Sequence, residues 1–162
     1  MREILKEKII LEKGKVNNFE LTFNKSVGAF IIGEPMVDLL SLLKLEYDFY
    51  EKANDSEYSE SFYDILELGL SVYVNDDDII TSINCYKFCY YNNVNVIGLN
   101  IDDLILHIST KLNKTESYYV GKINSKEQKQ KVYDFDEIGL QVWVYRNKVV
   151  NIHCCNFRDD IG

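Results

Sequence analysis

The segment "LSVYV", Leu70–Val74, alternates apolar residues with Ser71 and Tyr73, the period of a strand with one buried face. The same period runs through "LQVWVY" from Leu140. Around each segment, alternation and turn residues predict three antiparallel strands. The first set is Phe62–Glu67, Leu70–Asn75 and Ile79–Tyr86; the second is Val132–Glu137, Leu140–Tyr145 and Val149–Cys155. Asp76–Asp78 and Arg146–Asn147 supply turns, and Gly69 and Gly139 stand where each first strand must reverse quickly. Apolar residues at i, i+3, i+4 and i+7 in "MVDLLSLLKL" and "IDDLILHISTKL" predict two amphipathic helices. Pro35 suits the first turn of one, and Asn100 suits the N-cap of the other. "KIILEKGKVNNFELTF" predicts a hairpin turning at Gly14–Lys15.

These elements recur in order. "YDILELGLSVYV" from Tyr63 and "YDFDEIGLQVWV" from Tyr133 align without a gap at a separation of 70. "SINC" from Ser82 aligns with "NIHC" from Asn151, and Ile31–Leu43 aligns with Val96–Ile108. Three blocks in the same order indicate two divergent copies of one unit, residues 19–86 and 87–157. A lone helix cannot cover a meander, so the copies should share one core. The expected class is α+β: two tandem helix-plus-antiparallel-meander repeats in a single domain, 1–162, with an N-terminal β-hairpin arm, 1–18.

Composition excludes several classes. Apolar residues make up 46% and charged residues 27%, with one proline, which is ordinary for a globular chain. No apolar run approaches the roughly 18 residues that span a bilayer, and the charged start lacks a signal-peptide core. Four cysteines without an export signal suggest reduced thiols in a cytoplasm. The net charge of −8 argues against nucleic acid as the direct ligand and suits a basic partner.

Catalytic and metal patterns are weak. Cys85, Cys89, His153, Cys154 and Cys155 lack the Cys-x-x-Cys spacing of a zinc site. Cys85 and Cys154 each follow an isoleucine by two residues, which puts both on an apolar strand face as core residues. His153 then faces the other way, and nothing in the sequence gives it a nucleophile or base partner. No phosphate loop or calcium loop is present, so neither an enzyme nor a cofactor is expected.

The two copies disagree most between helix and meander. The first has "EYDFYEKANDSEYSESFYD", Glu46–Asp64, with seven acids, one lysine and six aromatics. The second has a lysine-rich segment, Lys111–Lys131. Residues 1–86 carry a net −9 and residues 87–162 a net +1. Charge runs are commonly solvated faces, but acids beside tyrosines also suit docking: acids steer a basic partner and tyrosines anchor it. The candidate partner-binding residues are Tyr47, Asp48, Tyr50, Glu51, Asp55, Glu57, Tyr58 and Glu60.

With this acidic–aromatic segment and no catalytic motif, the chain resembles the immunity proteins of bacterial contact-dependent growth inhibition and related polymorphic toxin systems. The resemblance implies a cytoplasmic monomer or weak dimer that binds one cognate toxin domain, often a nuclease. It would cover the toxin's active site or substrate-binding surface, with no cofactor, membrane or direct nucleic-acid contact. The paired units also resemble the architecture of β-lactamase inhibitory proteins, without their secretion signal and disulfides. The other expectations are a structural assembly protein built from the repeats, or a small enzyme using His153.

Overall fold

Leu70, Val72 and Val74 project from one face of a strand, and the core forms on that face. The computed structural model describes residues 19–52, 60–108, 115–123 and 126–156. The predicted hairpin arm, 1–18, lies outside them. The chain runs through β1 (Leu21–Thr22), β2 (Ser26–Val27) and β3 (Phe30–Ile31) into α1 (Met36–Leu43). Then follow β4 (Asp48–Tyr50), β5 (Ser61–Ile65), β6 (Leu70–Val74) and β7 (Ile80–Cys85). After β8 (Tyr90–Tyr91), β9 (Val94–Asn95) and α2 (Ile101–His107) come β10 (Thr115–Ile123) and β11 (Lys126–Phe135). The last strands are β12 (Leu140–Tyr145) and β13 (Lys148–Cys154).

Eight strands form one antiparallel sheet in the order β10-β11-β12-β13-β7-β6-β5-β4. The centre is the β13–β7 pair, with Ile152 opposite Cys85 and Cys154 opposite Ile83. All four are fully buried, so both cysteines pack as small apolar residues. The small sheet β1-β2-β3 lies against this face, bringing Cys154 Sγ to 4.0 Å from the Thr22 and Ser26 carbonyl oxygens. Each fully buried Val, Leu or Ile contributes about 1.5–3 kcal/mol.

The α+β expectation is overturned: the chain is mostly β, and its units are not helix-plus-meander repeats. The two helices among the described residues have only eight and seven residues. Lys44 enters the left-handed region at φ 53° and returns its N–H to the Leu40 carbonyl, which closes α1 although the apolar pattern continues. The segments after the helices, read as variable connections, contribute β4 and β10 to the sheet. Charged residues obscure the strand period there.

Matching geometry recurs at the two helix entries. The Gly33 N–H donates to Ile80 O at 2.8 Å, and the Gly98 N–H to Val149 O at 2.8 Å. Met36 and Ile101 then donate to the turn carbonyls of Asp78 and Asn147, both at 2.9 Å. Asn100 caps α2 by accepting from the Asp102 N–H at 2.9 Å.

Candidate functional site

Tyr47-Asp48-Phe49-Tyr50 alternates faces at one end of the sheet, where, among the described residues, β4 pairs with β5 alone. On the core side, Tyr47 and Phe49 meet the Tyr63 ring at 5.3 and 4.8 Å. On the opposite side, Tyr50 stacks on Phe62 at 4.8 Å. Phe62 continues to Tyr73 at 5.0 Å and Tyr73 to His153 at 5.4 Å, so four rings run from the edge to the sheet centre. Cross-strand aromatic pairs contribute about 0.2–1 kcal/mol each, which holds a short edge strand in place. Tyr47, Phe49 and Tyr50 nevertheless remain 46%, 48% and 49% exposed, enough ring surface to anchor a partner.

Carboxylates surround these rings. Asp48 sits directly opposite Asp64, a like-charge cross-strand pair that costs stability. Glu46, Tyr47, Asp48, Asp64, Leu66 and Glu67, with Leu45, line an open depression of about 530 Å³. Glu51 is exposed just beyond β4, and Glu60 accepts from Thr81 Oγ1 at 2.6 Å. Lys52 is held by Asp76 at 3.0 Å. The structure therefore brings together Tyr47, Asp48, Tyr50, Glu51 and Glu60. Asp55, Glu57 and Tyr58 lie outside the described residues. Sequence reasoning missed Phe49, Leu66 and Glu67; the first stands inside the acidic–aromatic run that the sequence does show.

A smaller depression of about 240 Å³ is lined by Lys129, Lys131, Val144, Arg146 and Asn147. It lies around β11 and the β12–β13 turn, so the charge division along the sequence is also a division in space.

The face opposite the core carries a polar row in register across β4 to β11: Asp48, Asp64, Ser71, Asn84, His153, Gln141 and Asp134. Asp64 accepts from Ser71 Oγ at 3.1 Å and from the Tyr86 hydroxyl at 2.9 Å. Burial and this carboxylate together raise the Tyr86 pKa. Asp134 accepts from Gln141 Nε2, and Gln141 Oε1 accepts from Trp143 Nε1, both at 3.0 Å. The row is thus largely satisfied internally.

Burial pushes His153 down to about 4, so the ring is neutral at pH 7. Burial raises Cys154 and Cys155 to about 12, and a hydrogen bond to Cys89, then burial, raises Cys85. These thiols stay protonated and poorly nucleophilic at neutral pH. Among the described residues, no three His, Cys, Asp or Glu side chains converge as metal ligands.

The His153 shift has a stability consequence. Between about pH 4 and pH 6.5 the unfolded chain holds a proton that the folded chain refuses. Stability is therefore present above about 6.5 and is lost as pH falls toward 4, by on the order of 3 kcal/mol. Urea unfolding of His153→Gln should show a flatter slope across that window; an unchanged slope would assign the acid sensitivity to other groups.

No family model matches the sequence, and no curated protein does. A solved extracellular protein containing an SCP domain, from Bacillus anthracis str. Ames, is similar at TM-score 0.41 and 10% identity. The similarity covers 77% of this chain and 44% of that one. No helix among the described residues is long and apolar enough to cross a membrane.

Proposed function

We propose that this chain is an immunity-type binding protein that neutralises a basic toxin domain by covering its active site or substrate-binding surface. The observation that supports this most is the β4 end of the sheet, where half-exposed Tyr47, Phe49 and Tyr50 stand among Asp48, Glu46 and Glu51. Such a surface steers a basic protein by charge and holds it by ring burial. Its natural setting is the cytoplasm, with no cofactor or membrane and with the chain itself a monomer or weak dimer.

Tyr50→Ala should weaken the complex about tenfold or more, as loss of a central aromatic anchor does. Affinity should also fall steeply between low and moderate salt. Calorimetry against a purified basic toxin domain tests both. Affinity indifferent to salt and to Tyr50 would sink this assignment. His153→Ala should leave neutralisation unchanged; a loss without unfolding would instead favour the enzyme reading.

The Lys129–Arg146 depression favours a second reading, in which the acidic end of one copy meets the basic end of another. That assembly would self-associate without any partner, which sedimentation of the pure chain reads directly.

A further inference from the structure

Backbone geometry indicates how a partner would meet β4. The Tyr86 N–H donates to Gly69 O at 2.9 Å, so Gly69 and Tyr86 are a hydrogen-bonded pair. Bonded and non-bonded pairs alternate along an antiparallel ladder, and each residue's N–H and C=O face the same neighbour. Alternation along β6 then turns the backbone groups of Val72 toward β5, where they meet Tyr63. One residue back, the groups of Phe62 face β4 and pair with Tyr50. Phe49 lies between Asp48 and Tyr50, so its N–H and C=O point off the end of the sheet. Among the described residues no strand lies beyond β4.

We infer that β4 takes up an extended basic segment of its partner as an added strand, paired through the outward N–H and C=O of Phe49. This rests on the proposed binding of a basic protein and specifies its mode. β4 is short and carries one charge, Asp48, which limits unspecific pairing, but it has no proline, lysine or bulge that would block an added strand. Its charge selects the occupant. A second β4 would set acid against acid, whereas alternating lysines would lie over Asp48 and relieve its repulsion with Asp64. The rings of Tyr47 and Phe49, on the face opposite Asp48, would cover the apolar side chains of the incoming strand, and Tyr50 would lie beside its lysines.

The probe is a lysine–valine alternating hexapeptide, compared with its glutamate analogue and with a version N-methylated at every second residue. Titrated into the ¹⁵N-labelled chain at low salt, the lysine peptide should shift the Phe49 amide and slow its hydrogen exchange about tenfold. Phe49→Pro should cut peptide affinity about tenfold or more, because the outward donor is gone and no ladder bond is lost. Phe49→Ala keeps that donor and should lose less. The urea midpoint of Phe49→Pro reports whether the variant folds, and the N-methylated peptide tests the parent chain without any substitution.

Strand addition is overturned if the N-methylated peptide binds as well as the parent peptide, which leaves a basic partner held by side chains alone. It is also overturned, together with the proposed function, if the glutamate peptide binds equally or the lysine peptide does not bind. Dimerisation of the pure chain that Phe49→Pro abolishes would give the edge to a second copy instead.

Discussion

Gly139→Ala should lower the stability of the fold by about 2–5 kcal/mol. Two effects add. Gly139 has φ +67°, a left-handed conformation that costs an L side chain about 1–2 kcal/mol. Its added methyl would also run into the Cys155 carbonyl oxygen and the Asn24 side chain. Neither neighbour yields easily. The Cys155 N–H donates to Gly139 O at 2.8 Å, and Asn24 Nδ2 donates to Glu137 O at 3.0 Å. Gly98 is the control, because it has φ +94° but nothing within 4 Å of an added methyl. Gly98→Ala should therefore cost only the conformational part, about 1–2 kcal/mol. The single tryptophan, Trp143, lies on β12, the strand that follows this turn, and supplies the fluorescence signal for urea unfolding. Equal midpoints for the two variants would mean that the Gly139 contact does not constrain the fold.

The second large effect separates binding from stability. Asp48→Lys together with Glu51→Lys should weaken association with a basic partner about 100-fold, within the range measured for close charge pairs. The remaining affinity should lose most of its salt dependence. The same change should leave the unfolding midpoint level or slightly raised, because the new ammonium group would face Asp64 where the Asp48 carboxylate now repels it. A residue kept for the fold would show the reverse, with lower stability and unchanged binding. Measured together, calorimetric affinity and urea midpoint distinguish the two cases.

Strand chemistry is readable along the sequence where one face is buried and the other is not. Leu70, Val72 and Val74 alternate without interruption, as do Leu140, Val142 and Val144, and these form β6 and β12. The isoleucine two residues before Cys85 and before Cys154 correctly places both cysteines on the apolar face. The architecture is not readable. β4 is aromatic or acidic at all three positions and exposed on both faces, so period carries no signal there. The apolar pattern overstates the length of α1, because a left-handed Lys44 ends the helix inside it. The candidate site is visible as composition in Glu46–Asp64, but its shape is not. That Asp48 lies opposite Asp64, and that Phe49 directs its backbone outward, are facts of register that emerge only once strands pair.

We propose above all that the acidic, aromatic edge around β4 neutralises a basic toxin domain. It is tested most directly by growth of cells producing a toxin domain encoded beside this chain's gene, together with either the parent or the Asp48→Lys/Glu51→Lys variant. The parent should restore growth and the variant should not, although both fold and accumulate to the same level. Equal protection by the two would contradict it.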